Sequence, residues 1–242
     1  IDSNNYKWIS LQSSTGDGTG LLVLDTNDPM NTQDNRGVKL TTSAVNGNLP
    51  DNKVNAFLED KNGEVWIGTA RGIARFLFPR FIVDSQRSSE RQSQWLLNED
   101  TSAVSRYLLR DINVSAMALN GANQKWIGSV NQGLWLLNEE GSAILKRYTE
   151  DKSPLISNNI LSITVNEESG EVFVATDRGL VSFIDIAQSP KTTMGSLKIY
   201  PNPFLYDQHE RIIIENLSQA TRIRVLDAGG NVVHELQASG GR

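Results

Sequence analysis

The chain has 242 residues, 38% of them hydrophobic, with a formal net charge of -5 and a pI near 5.2. That length can bury a sizeable core, no apolar run approaches the roughly 18 residues that cross a bilayer as a helix, and the acidic balance excludes a global basic field for nucleic acid. Cysteine is absent and the two histidines, His209 and His234, stand far apart, which removes thiol chemistry and disulfides and leaves no expectation of a metal or other cofactor.

The first elements are the strand Tyr6-Lys7-Trp8-Ile9-Ser10-Leu11 and a second strand opening at Gly20-Leu21. Between them Gly16-Asp17-Gly18-Thr19-Gly20 precedes no helix, so it reads as a turn and not as a phosphate cradle. Asp25, Asn27, Asp28, Asp34 and Asn35 follow without the regular spacing of a calcium loop, and Gly37–Thr41 is an outer strand. The alternating segment 54–60 then leads through Asp60-Lys61-Asn62-Gly63 into Glu64-Val65-Trp66-Ile67-Gly68-Thr69-Ala70-Arg71-Gly72-Ile73, a strand, a tight turn and a further strand. The same order recurs in 114–120 and Gln124–Leu134, with outer strand 143–148, and again in 160–166, Glu167-Glu168-Ser169-Gly170 and Glu171–Leu180. An outer strand is expected over 103–108 in the second copy.

The aromatics at 8, 66, 126 and 173 are 58, 60 and 47 residues apart. Short antiparallel strands at that period, each unit marked by an aromatic and a following small residue, describe β-propeller blades. Trp8, Trp66, Trp126 and Phe173 are expected to fill the wedge between adjacent sheets. Three, four, four and three strands are expected in the successive units, the first lacking its innermost strand, so residues 1–187 read as part of a larger propeller cut within a blade.

One segment exceeds what a blade needs. Residues 79–102 place Arg80, Arg87, Arg91 and Trp95 among Asp84, Glu90, Glu99 and Asp100. Guanidinium forks beside an indole suit the phosphate or sugar groups of an anionic glycan, against the plainer reading of a lid or a disordered loop. These four are the candidate glycan or partner contacts. No catalytic residue is expected: there is no Gly-x-Ser-x-Gly elbow, His-Glu-x-x-His pair or Gly-x-x-x-x-Gly-Lys loop.

A polar spacer, 188–196, separates the repeats from Leu197-Lys198-Ile199-Tyr200-Pro201-Asn202-Pro203-Phe204. Pro201 and Pro203 forbid helix and suit an entering edge strand, and 211–215, 222–226 and the turn Asp227-Ala228-Gly229-Gly230-Asn231 complete a run of short strands. Glu64–Ile73, with Val54-Asn55-Ala56 ahead of it, resembles the two-component-regulator propeller repeat of Bacteroidota proteins. Residues 197–204 and 223–233 resemble the C-terminal sorting domain of the type IX secretion system, an Ig-like β-sandwich, expected here over 197–242 and incomplete. The pairing implies an all-β protein without enzymatic activity, exported through the periplasm to the outer-membrane surface. Its implied partners are the sortase and other subunits of the type IX attachment complex and anionic lipopolysaccharide; nucleic acid is not among them. The repeat alone equally suits the periplasmic oligosaccharide-sensing propeller of a hybrid two-component system.

Overall fold

In the computed structural model, residues 1–28, 30–85, 87–100, 105–185, 187–238 and 240–241 are described, and they are almost wholly β. The first sheet has the order β1 (Lys7–Gln12), β2 (Gly18–Asp25), β3 (Arg36–Leu40), and the second runs β4 (Val54–Glu59), β5 (Val65–Thr69), β6 (Gly72–Phe76), β7 (Gln94–Trp95). The third is β8 (Val114–Leu119), β9 (Lys125–Ser129), β10 (Leu134–Leu137), β11 (Ile144–Tyr148), and the fourth β12 (Ile160–Asn166), β13 (Glu171–Thr176), β14 (Gly179–Ile184). The four repeat aromatics fall on the equivalent strands β1, β5, β9 and β13, as their spacing required.

One strand differs from expectation. The outer strand of the second blade is β7, where Trp95 pairs with Ala74 and Gln94 with Arg75, and not 103–108. Residues 106–108 instead lie antiparallel to 96–98 through the Leu97–Tyr107 bridge and the bonds Leu108 N to Leu96 O and Asn98 N to Arg106 O; positions 103 and 104 fall outside the described residues. The insertion is thus residues 77–93, holding one helical turn, Phe81–Asp84, and a 3-10 turn, Ser88–Arg91. Ile82 of the helical turn is fully buried, which anchors the segment on the core.

Each aromatic strand is entered through a turn closed by one side chain. Asp60 Oδ1 accepts from the N–H groups of Asn62 and Glu64, and its Oδ2 from Trp66 Nε1 at 3.1 Å. Asp2 does the same with Asn4, Tyr6 and, at 3.0 Å, Trp8 Nε1. A short carboxylate or amide two residues before a backbone donor makes this Asx geometry without strain. The following hairpins share a second device: Thr69, Ser129 and Thr176 each donate a hydroxyl to the carbonyl of a glycine, Gly72, Gly133 and Gly179.

The glycine after each Trp-Ile pair is explained by the next blade. A Cβ on Gly68 would lie 2.5 Å from a Val114 methyl, and one on Gly128 2.6 Å from an Ile160 methyl. Val114 and Ile160 open β8 and β12, so each blade's second strand receives the first strand of its successor. Ser10 holds the matching place in β1 and donates to Val54 O at 2.7 Å. Packed on these joints are two cores. One gathers Leu21, Val23, Leu40, Val54, Ile67 and Phe76 from the first two blades, and the other Trp66, Val114, Ile127, Trp135 and Leu137 from the second and third. Burying side chains of this kind is worth about 1.5–3 kcal/mol each, which makes the joints the main source of cohesion.

The chain divides into two compact units, one of residues 1–118, 125–163 and 174–181, the other of 119–124, 164–173 and 182–242. In the second, Asn120 Oδ1 accepts from Ala122 and Gln124 N–H while its Nδ2 donates to Asp185 Oδ2 at 2.8 Å. The C-terminal strands form two ladders, β15 (Lys198–Tyr200) with β16 (Ile213–Glu215) and β17 (Arg222–Leu226) with β18 (Val232–Gln237). Pro201 follows β15 instead of lying within it, and the expected 227–231 turn is present, closed by Asp227 Oδ1 accepting from Gly229 and Asn231 N–H. Val225, Leu226, Val232, Val233 and Leu236 stay exposed, and the two ladders do not by themselves make the packed sheets of the expected Ig-like sandwich. This tail is tied to the spacer by Gly241 N to Gln188 O, Leu217 N to Gly241 O and Lys191 N to Leu217 O.

Candidate functional site

The four candidate residues do not converge on one spot. Arg80 precedes the helical turn and lays its guanidinium 4.6 Å over the Phe81 ring, a contact that fixes the loop locally. Arg87, largely exposed, faces Glu90 at 3.8 Å, and Arg91 donates to Ser85 O within the insertion. Trp95 belongs to the blade itself. Its indole Nε1 donates to Asn48 O at 2.7 Å, and its ring meets Tyr107 at 5.1 Å between centroids with planes 67° apart.

Trp95 and Tyr107 wall a cavity of about 550 Å³ together with Asn48, Gln92, Gln94 and Arg106. None of the three arginines read from the insertion lines it. Sequence inspection missed Tyr107 and Arg106 because they lie beyond the insertion, in a segment that reads as a plain strand. Asn48, in the preceding turn, offers no local signal. The pairing of 106–108 with 96–98 brings Tyr107 and Arg106 to Trp95, and Asn48 reaches it through hydrogen bonds to Trp95 and Ser93.

The other concentration of charge is at the joint of the second and third blades. Lys125 Nζ lies 2.9 Å from Asp60 Oδ2 and 4.6 Å over Trp66, and donates to Glu139 O at 2.5 Å, with Lys125 0% and Asp60 1% exposed. Burial pushes the ammonium below the ordinary lysine value, with Asp60 pulling the other way. Burial likewise raises the Glu64 carboxyl, against the pull of Arg75 at 3.1 Å. Lys125 and Asp60 are buried against each other and Glu64 pairs with the partly exposed Arg75, an arrangement that packs the joint of the two blades. Among the described residues no group of three metal-ligating side chains occurs, and no helix is long and apolar enough to cross a membrane.

The blade order, the glycine-gated joints and the aromatic position define β-propeller blades, and residues 48–71 are similar to the two component regulator propeller family, whose model they match. The chain is similar to PorZ, a surface component of the type-IX secretion system of Porphyromonas gingivalis, with a TM-score of 0.76 and 23% identity over 99% of this chain and 32% of that one. It therefore spans about a third of PorZ. It is also similar to the extracellular domain of BT4673 from B. thetaiotaomicron, solved as that of a one-component system (TM-score 0.55) and as that of a hybrid two-component system (0.52). Each comparison has 15% identity over 96% of this chain and 27% of the other. No curated protein matches.

Proposed function

We propose that this chain is a non-catalytic propeller segment of an exported surface subunit of the type IX attachment apparatus, assisting the sortase that anchors cargo to anionic lipopolysaccharide. The likeness to PorZ across 99% of the chain, C-terminal ladders included, is the observation that carries this reading. A propeller presents rigid loops on short, protected sheet edges, which suits a platform for protein partners. Arg87, the largely exposed arginine of the insertion, is the proposed lipopolysaccharide contact. The segment after Ser196 acts as the export address. In the parent bacterium, removing everything after Ser196 is expected to leave the propeller folded but periplasmic, with loss of surface cargo attachment. Protease accessibility on intact cells measures both. Normal surface display of the truncated protein refutes the reading.

A second reading, the periplasmic oligosaccharide-sensing propeller of a hybrid two-component system, is favoured by the family match at 48–71 and by BT4673. It predicts a kinase in the same reading frame, which sequencing the complete frame decides.

A further inference from the structure

We propose that the cavity between 92–95 and 106–107 is a saccharide site that seats an uncharged hexose against the Trp95 and Tyr107 rings. The rings meet at 67°, so they form two walls of a corner instead of one stacked slab. A pyranose has apolar C–H faces and a belt of hydroxyls, and its faces suit the electron-rich face of an aromatic ring. The belt then needs groups that both donate and accept, which primary amides do. Gln94, Gln92 and Asn48 supply three amides at the rim.

The alternatives fit less well. No carboxylate lines the cavity among the described residues, which leaves a cationic ligand without a counter-charge. Arg106 is the single cation among the described lining residues, too little for a nucleotide's phosphates. A lining dominated by amides, hydroxyls and one guanidinium does not suit a lipid tail.

The site is also held in place before any ligand arrives. Asn48 O accepts from both Trp95 Nε1 and Ser93 Oγ, at 2.7 and 2.8 Å, and Asn48 Nδ2 returns a bond to Ser93 O at 3.1 Å. This pins the indole by its N–H edge and leaves its face as the contact surface. Gln92 Nε2 is fixed on Ala44 O, so its Oε1 is held ready to accept. Fixed side chains reduce the ordering cost of binding, which matters for a weak, polar ligand.

This inference goes beyond the secretion reading and deepens the oligosaccharide-sensing one, and each can fail alone: sugar binding would stand in a protein with normal display after truncation, and equally in one whose reading frame holds no kinase. The purified full-length protein is titrated by calorimetry with maltotriose, mannotriose, tri-N-acetylchitotriose and, as the charged comparison, trigalacturonate. Saturable binding of at least one uncharged trisaccharide is expected, weakened about tenfold or more by Trp95→Ala, the size of step that a lost stacking contact of this kind produces. Gln94→Ala, on an exposed side chain, is expected to weaken binding several-fold with unchanged melting, which keeps the test valid if Trp95→Ala fails to fold. Binding of trigalacturonate alone, of none of the four, or binding indifferent to both substitutions overturns the proposal.

Discussion

Lys125→Met removes the ammonium from the joint of the second and third blades while roughly keeping its volume. Asp60, 1% exposed, then loses its ion-pair partner, and removing one member of a buried pair costs about 3–5 kcal/mol. The carboxylate keeps three N–H donors, from Asn62, Glu64 and Trp66, at 3.0, 3.0 and 3.1 Å, so the lower end, about 3 kcal/mol, is expected. Urea unfolding followed by tryptophan fluorescence is the assay, since Trp66 sits in the same cluster. Asp60→Asn copies the residue that closes the corresponding turn at position 120, keeping the Oδ1 acceptor and discarding the charge. Combined with Lys125→Met it should be less harmful than the two losses added, by about 1 kcal/mol or more. Because burial lowers the Lys125 pKa, the unfolded chain holds that proton more tightly. Stability in the wild type should therefore gain a contribution as pH rises from the lowered value to the ordinary 10.5, and Lys125→Met should lack it. A loss within about 0.5 kcal/mol for Lys125→Met, the range of an ordinary surface change, or strict additivity with Asp60→Asn, would refute this account of the joint.

Gly128→Ala should destabilise by about 1–3 kcal/mol through overpacking against Ile160, and Ile160→Ala in the same chain should relieve part of that loss; thermal melting of the wild type, the two single variants and the double variant reads the cycle. Asp25 is held below the ordinary 3.8, first by the Asn27 N–H and then by Arg36 at 2.6 Å. Its contribution is thus present above that value and lost as pH falls through the lowered one, so Asp25→Asn should flatten the acid limb of a melting-temperature profile, and an unchanged limb counts against it. Asn120→Asp keeps the turn but sets a second carboxylate against Asp185, at the present 2.8 Å contact. It should be destabilising at neutral pH and recover toward acid pH, where one of the pair takes a proton; a pH-independent effect would show the pair is not in contact.

The hairpins were legible because their determinants are local. Trp66-Ile67-Gly68 and Trp126-Ile127-Gly128 carry strand preference, turn chemistry and the small residue in one stretch, and the structure places them in register. The Asx clamps were legible in principle, since Asp2, Asp60 and Asn120 each stand six residues before a tryptophan, but an acidic residue ahead of a turn reads as solvated. The outer strand of the second blade failed because β7 is two residues long, while 103–108 has the better strand composition; which of them pairs with β6 is decided by the insertion that Ile82 anchors. Lys125 could not be found at all. Its burial depends on Asp60, 65 positions earlier, and lysine in a strand is otherwise taken as surface. The candidate cavity divides the same way: Trp95 was singled out, and its partners arrive only through contacts between segments remote in sequence.

The joints described by Gly68 with Val114 and Gly128 with Ile160 have a consequence for how such a molecule could grow. Each is a plug and a socket written in two neighbouring repeats, a methyl group on the first strand of one and a missing side chain on the second strand of the other. Every repeat that carries both halves can follow any other, so tandem duplication of one gene segment would add a blade whose two seams already fit. The evolutionary constraint then falls on the pair at each seam, and the outer strands and insertions, such as the segment around Trp95, are left free to diverge.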